Sequence, residues 1–316
     1  MADTEHFFTA AGAHRAGIRS FGNKVLNVVC VALALLTLIP LVSIVFLVLK
    51  NGLPLLTPAI FTELPPAAGQ AGGGFGNAVV GTFQMVGIAL AIAAPLGILS
   101  AVYINEYAPT SRLSNTVRFV AKLLTGIPSI ICGVFAYAVI VLPKTGLIEA
   151  VQGWREGWFR DIALWIVTSL PSGFSAWAGG FALSILMLPT ILITAEQALL
   201  GVSKAYREAS YGLGATRFQT IWRIVLPDAV PAIMTGIMLS VARAAGETAP
   251  LIFTALFSQF WAQSLNEPTA SLSVLIYNFS TLPYEHQQNM AWTASLVLVI
   301  LVTISNVTAQ VVFRKR

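Results

Sequence analysis

Five stretches of about 20 residues or more contain no Asp, Glu, Lys or Arg: Val25 to Leu49, Ala78 to Tyr103, Leu123 to Leu142, Ile162 to Ala195 and Met290 to Phe313. A sixth, Ala229 to Phe257, is apolar except for Arg243 and Glu247. Helices of that length cross a hydrocarbon core of about 30 Å at roughly 1.5 Å per residue. The weak ten-residue alternation of an outer-membrane barrel is absent from these runs. Only 10% of the residues are charged and 56% are hydrophobic, whereas soluble domains carry roughly 25% charged residues. The sequence therefore predicts an all-α integral membrane protein with about six transmembrane helices.

Ile162 to Ala195 is too long for one span and must break. Pro171, Ser172 and Gly173 supply the breaker, leaving a short apolar piece around Leu164 to Leu170 and a full span from about Ala178 to Leu200. Trp165 and Trp177 flank the short piece, which suits a re-entrant or interfacial segment.

The net charge of +5 and pI of about 9.4 do not make this a nucleic-acid binder, because the cations sort by side. With a cytoplasmic N-terminus, the inner segments hold Arg15, Arg19 and Lys24; Arg112, Arg118 and Lys122; Lys204, Arg207, Arg217 and Arg223; and Arg314, Lys315 and Arg316. Only Lys50, Lys144, Arg155 and Arg160 fall outside. This is the positive-inside pattern, and an even number of spans places both termini in the cytoplasm. Residues 1–24 form an expected cytoplasmic tail and residues 25–316 one transmembrane domain in contact with membrane lipid. The first span is longer than a signal-peptide core and is expected to remain as an anchor.

Other chemistries lack their residues. Cys30 and Cys132 sit in separate spans, and His6, His14 and His286 are isolated, so neither a disulfide nor a metal site is expected. The run GGGFG from Gly72 to Gly76 lacks the GK[ST] ending of a phosphate loop and follows no strand, which leaves it as a flexible linker entering a helix capped by Asn77. No Ser/His, paired-Asp or His/Glu constellation lies in the spans, so no catalytic residue is assigned. An ion-coupled secondary transporter should show broken helices in two matching halves, and no such repeat is visible.

The inner connection from Gly201 to Pro227 reads EASYGLGATRFQTIWRIVLP over its last 20 residues, Glu208 to Pro227. Lys204 to Leu213 predicts a short helix whose small residues Ala205, Ala209 and Ser210 can seat into a partner. Gly214 permits a left-handed turn. A second helix follows from Thr216, with Phe218, Ile221, Trp222 and Val225 on one apolar face, and Pro227 ends it. An amphipathic segment resting on the membrane is the alternative.

The spacing of Glu208, Ala209, Ser210, Gly214, Ile224, Leu226 and Pro227 resembles the cytoplasmic coupling loop of ABC importer permeases, with Ser210 in place of that loop's second Ala. The resemblance implies the type I importer permease fold, with 201–227 docking on a separate ATPase dimer. ATP and Mg would be bound by that partner, since this chain has no GxxxxGK[ST] loop of its own.

Arg243 and Glu247 stand four residues apart on one helical face of the fifth span. A charge at the bilayer centre costs roughly 2.5 to 3.5 kcal/mol on insertion scales, so both must face protein or a wet path. A mutual structural pairing and a transport role remain open on the residues alone. The surrounding SVARAAGETAPLIFTA, Ser240 to Ala255, resembles the fifth-span signature of phosphate-specific ABC permeases through Arg243, Ala244, Gly246, Glu247 and Thr248. Weaker similarities run through NAVVGT from Asn77, PLGILSAVYINEYA from Pro95 and GIPSIICGVFAY from Gly126. The resemblance implies inorganic phosphate as substrate, Arg243, Glu247 and Thr248 in its path, and three kinds of partner: a second permease subunit, two ATPase copies and a periplasmic phosphate-binding protein. Ser240 and Thr248 could add hydroxyl donors or simply bond their own helix backbone.

Overall fold

The computed structural model describes residues 3–142, 151–153, 156–169 and 173–312. Its residues divide into two compact units, 1–51 and 52–316. The first unit is a single helix, α1, Asp3–Gly52, which carries Pro40 and whose part Asn23–Gly52 is long and apolar enough to cross a membrane.

In the second unit the helices are α2, Gly76–Tyr107; α3, Arg112–Thr125; α4, Ser129–Val141; α5, Trp158–Ser169; α6, Ala176–Leu200; α7, Lys204–Gly212; α8, Arg217–Ala245; α9, Ala249–Thr254; α10, Leu272–Thr281; and α11, Glu285–Val312. Among the described residues five helices are long and apolar enough to cross a membrane, or six if the bent pair α3 and α4 counts as one span.

The core forms around α6. Leu183, Met187, Ile191, Ala195 and Leu199 recur every four residues along it and meet Met85, Ala89 and Ala93 of α2 and Ile221, Val225, Ile233 and Ile237 of α8. Small residues allow this approach. A Cβ on Gly97 would lie 2.9 Å from Ile191 Cγ2, and one on Gly180 would lie 2.6 Å from Ile88 Cβ. A second core gathers Phe75, Ala78, Leu272, Leu275, Phe279, Met290 and Ala294 between the start of α2, α10 and α11.

The long apolar run Ile162–Ala195 breaks where expected, between the end of α5 at Ser169 and Ser175, which caps α6 by accepting from Ala178 N at 3.2 Å. Gly173 takes a positive φ of 68° there, while Pro171 and Ser172 lie outside the described residues.

Four sequence expectations need correction. Leu123 to Leu142 is not one helix: α3 and α4 meet at a 106° bend at Gly126–Pro128. Ser111 caps α3, which is strongly amphipathic and stops at Gly126, and Pro128 disfavours a helical residue before it. The fifth run stops at Ala245 rather than reaching Phe257, because Gly246 and Pro250 break it. Pro227 does not end a helix. The preceding residues Ile221–Val225 form a π turn in which Leu226 N donates to Ile221 O, a widening that accommodates the proline ring.

Lastly, the Gly-rich stretch before α2 is packed, not a free linker. Gly74 N donates to Leu64 O at 2.9 Å, Phe75 N to Ile60 O at 2.8 Å and Gly72 N to His286 Nε2 at 3.1 Å, while the Phe75 side chain is fully buried. Asn77 is accordingly not the cap; its Nδ2 ties Ser258 O and Phe260 O to α2.

The α2–α6 contact yields a direct test. Gly180→Val should cost about 1–3 kcal/mol by overpacking, seen as a lower thermal unfolding midpoint of the purified protein in detergent. Gly87→Ala, whose Cβ would meet nothing within 4 Å, should leave the midpoint unchanged or raise it.

Candidate functional site: a coupling turn and a broken span

The α7–α8 turn is built by local capping. Ser203 accepts from Ala205 N at 3.3 Å to start α7, and Gly214 reverses the chain at φ 78°. Thr216 then opens α8 with a reciprocal capping box, its side chain bonded to Gln219 N and its amide to Gln219 Oε1.

Across the turn, Ser210 Oγ and Thr220 Oγ1 are hydrogen-bonded at 2.8 Å in a buried position. This accounts for a Ser in place of a second Ala: its buried hydroxyl fastens the two limbs together. Glu208 and Ala209 remain exposed, Leu226 is buried and Ile224 is half-buried. The expected apolar face of α8 divides in two. Ile221 and Val225 enter the core, whereas Phe218 and Trp222 stay exposed with ring centroids 5.8 Å apart. Leu213, 89% exposed at the tip, was missed in the sequence, where its place beside Gly214 was the available signal.

The second site is the break between α8 and α9. Arg243 lies in the last turn of α8, not at mid-span, and Glu247 lies in the link before α9. A guanidinium at a helix C-terminus and a carboxylate ahead of a helix N-terminus both suit the backbone dipoles. Their contact is long, Nε to Oε1 at 3.4 Å, with the Arg243 side chain 52% exposed and Glu247 17%. The two terminal guanidinium nitrogens of Arg243 have no hydrogen-bond partner among the described residues.

The break is braced from behind. Ser273 Oγ donates to Glu247 O at 2.8 Å, and Gly133 of α4 packs against the backbone of Pro250. Ser240 is buried and bonds Ile237 O at 2.7 Å, which commits its hydroxyl to its own helix. Thr248 is half-buried at the start of α9. The structure thus brings Arg243, Glu247 and Thr248 together and keeps the residues of the coupling turn, Glu208 to Gly214, at the far end of α8. No cluster of three or more metal-ligating side chains occurs among the described residues.

The described residues thus form a multi-span helical bundle with an exposed helix-turn-helix on one flank and a charged break after a long apolar helix. The family described as binding-protein-dependent transport system inner membrane component matches residues 93–316. The phosphate transport system permease protein PstA of Yersinia pestis is 35% identical over 93% of this chain and 90% of its own length. A probable PstA of Methanocaldococcus jannaschii is 31% identical over 90% and 91% respectively. The chain belongs to the inner-membrane components of binding-protein-dependent transport and, within them, to the PstA permeases.

Solved structures agree on the fold. A bacterial ABC transporter involved in alginate import matches with TM-score 0.56 at 20% identity over 95% of this chain and 98% of that one. The MetNI methionine ABC transporter matches with TM-score 0.51 at 20% identity over 76% and 94%. The fold is therefore that of a type I ABC importer permease.

The Ser210–Thr220 bond can be tested by itself. Ser210→Ala should lower stability by no more than about 1.5 kcal/mol, because Thr220 Oγ1 keeps its 3.1 Å bond to Thr216 O. Ser210→Leu would force a larger side chain into this buried position and should lower the unfolding midpoint further.

Proposed function

We propose that this chain is the permease subunit that passes inorganic phosphate across the inner membrane, with ATP hydrolysed on a separate polypeptide. It pairs with a PstC-like second permease, a dimer of ATPase subunits that bind ATP and Mg, and a periplasmic phosphate-binding protein. Residues 1–24 are a cytoplasmic tail and 25–316 the permease domain. Both termini and the coupling segment 201–227 face the cytoplasm, where Glu208, Ala209, Gly214 and the exposed crest of Leu213, Phe218 and Trp222 meet the ATPase. Ser210, Ile224, Leu226 and Pro227 give that segment its shape.

One observation carries the substrate assignment: a half-exposed guanidinium with unpaired donors at a break in a span, loosely held by one carboxylate. Such a group presents planar, permanently charged donors that suit phosphate oxygens. Irregular backbone at membrane depth is tolerated where it lines a cavity or is covered by protein. Glu247 adds selectivity, because hydrogen phosphate carries an O–H that a carboxylate accepts and sulfate has none. Thr248 lines the same path.

Labelled-phosphate uptake into vesicles holding the full complex tests the assignment. Losing charge-assisted hydrogen bonds of about 1.5–3 kcal/mol, Arg243→Gln should cut uptake roughly ten- to a hundredfold with ATP hydrolysis retained. Normal uptake would make the pair structural and point to another solute. Glu247→Gln should shift the ratio of phosphate to sulfate transport, and an unchanged ratio would remove Glu247 from selection.

A further inference from the structure

The segment PLGILSAVYINEYA ends in a buried carboxylate that the substrate path does not use. Glu106, 7% exposed, lies in the single π turn Tyr103–Tyr107 that closes α2. Its Oε1 accepts from an Arg207 terminal nitrogen at 2.6 Å and its Oε2 from Arg207 Nε at 3.3 Å, a two-pronged grip. Asn105 Nδ2 donates to the same carboxylate at 2.7 Å.

Arg207 belongs to α7, and its remaining donors go to Leu199 O and Val202 O at 2.9 and 2.7 Å. Arg217, the first residue of α8, donates to the backbone carbonyl of Glu106, with its guanidinium carbon 5.3 Å from the Tyr107 ring centroid. Both limbs of the coupling turn therefore hold one and the same turn of α2.

The way α7 is mounted gives this grip its consequence. Of its nine residues α7 buries only Ser210. A cavity of about 510 Å³ opens beside it, lined by Glu106, Lys204, Arg207, Glu208 and Tyr211 among others. No packed apolar face passes a displacement of α7 inward. The directional side-chain contacts of α7 are Ser210 to Thr220 and those of Arg207, to Glu106 of α2 and to the carbonyls of Leu199 and Val202 at the end of α6. A bidentate guanidinium–carboxylate pair resists both sliding and rotation, and α2 is locked to α6 through Gly97 and Gly180.

We infer that the Glu106–Arg207 pair is the joint by which movement of α7 is delivered to α2. Both are positioning residues for transport: neither touches the substrate path at Arg243. Two other routes exist: Arg207 also holds Leu199 O at the end of α6, and α8 runs unbroken from the turn to Ala245 but carries a π turn at Ile221–Val225. The inference is that these routes alone do not suffice. It rests on the proposed docking of the coupling turn on an ATPase.

The test uses the complete complex in proteoliposomes, measuring phosphate uptake and ATP hydrolysis together for wild type, Glu106→Gln and Arg118→Lys. Arg118 of α3 holds the same turn through Ile104 O at 2.9 Å and pairs with Glu196 at 2.6 Å, but belongs to neither limb of the coupling turn. Glu106→Gln should lower phosphate moved per ATP hydrolysed at least about fivefold, with hydrolysis near wild type, while Arg118→Lys leaves that ratio unchanged. Should Glu106→Gln fail to assemble, Arg207→Lys reads the same joint, since an ammonium cannot span both carboxylate oxygens. Uptake and hydrolysis falling in parallel, or an unchanged ratio in the assembled variant, would overturn the inference. Absence of ATP-dependent phosphate uptake in wild type would instead count against the proposed function.

Discussion

The approach of α2 to α6 sets the geometry of everything else in residues 52–316. In an apolar solvent these helices gain little from burying one more hydrocarbon face, so what orients them is how closely their backbones can come. Gly97 and Gly180 admit Ile191 and Ile88 at distances a methyl group would forbid. Gly236 does the same for Thr194 between α8 and α6. With α2 and α8 both seated on α6, the coupling turn hangs below one end of the bundle and the α8–α9 break falls at the other. The glycine positions set this approach, and polar contacts then fasten the two ends.

Much of this was legible because the membrane reduces the alphabet. Long uncharged runs located α1, α2, α6 and α11, and the fixed spacing from Glu208 to Pro227 located the turn at Gly214. What was lost lay in places where hydrophobicity stays constant while the backbone changes direction. Leu123 to Leu142 contains no charge, yet Gly126 and Pro128 turn it through 106°, and the amphipathic character of the residues before it was the overlooked signal. The same holds for Gly246 and Pro250. The Gly-rich stretch before α2 misled for the opposite reason: glycine allows flexibility, but Gly73, Gly74 and Gly76 allow close backbone approach to residues 59–66 instead. Glu106 and Arg207 are 101 residues apart, and no local pattern pairs them.

Where the apolar environment ends, the control of geometry passes to guanidinium groups. The end of α2 leaves carbonyls without intrahelical donors, and it carries the negative end of the helix dipole. Arg118 answers Ile104 O, and Arg217 answers Glu106 O. These contacts satisfy backbone groups that a helix buried in protein must satisfy in any case, so they stabilise the end of α2 whatever its motion. The Arg207–Glu106 pair differs in kind: Arg207 also answers Leu199 O at the end of α6, but the charge of Glu106 completes no helix. Removing both would leave the backbone of α2 as well satisfied as before.

The Arg207–Glu106 and Arg243–Glu247 pairs are also opposites in strength, and the difference fits their places. Arg207 and Glu106 are mostly buried at 2.6 Å, where loss of one partner strands the other. Arg243 and Glu247 meet at 3.4 Å with the guanidinium half exposed, a geometry worth no more than about 1 kcal/mol. A pair that must transmit force gains from being stiff and hard to separate. A cation that must accept a passing anion gains from a partner weak enough to be displaced, yet close enough to offset its charge when the path is empty. Exchanging the two geometries would leave a guanidinium too firmly held to release its carboxylate and a coupling turn too loosely held to move α2.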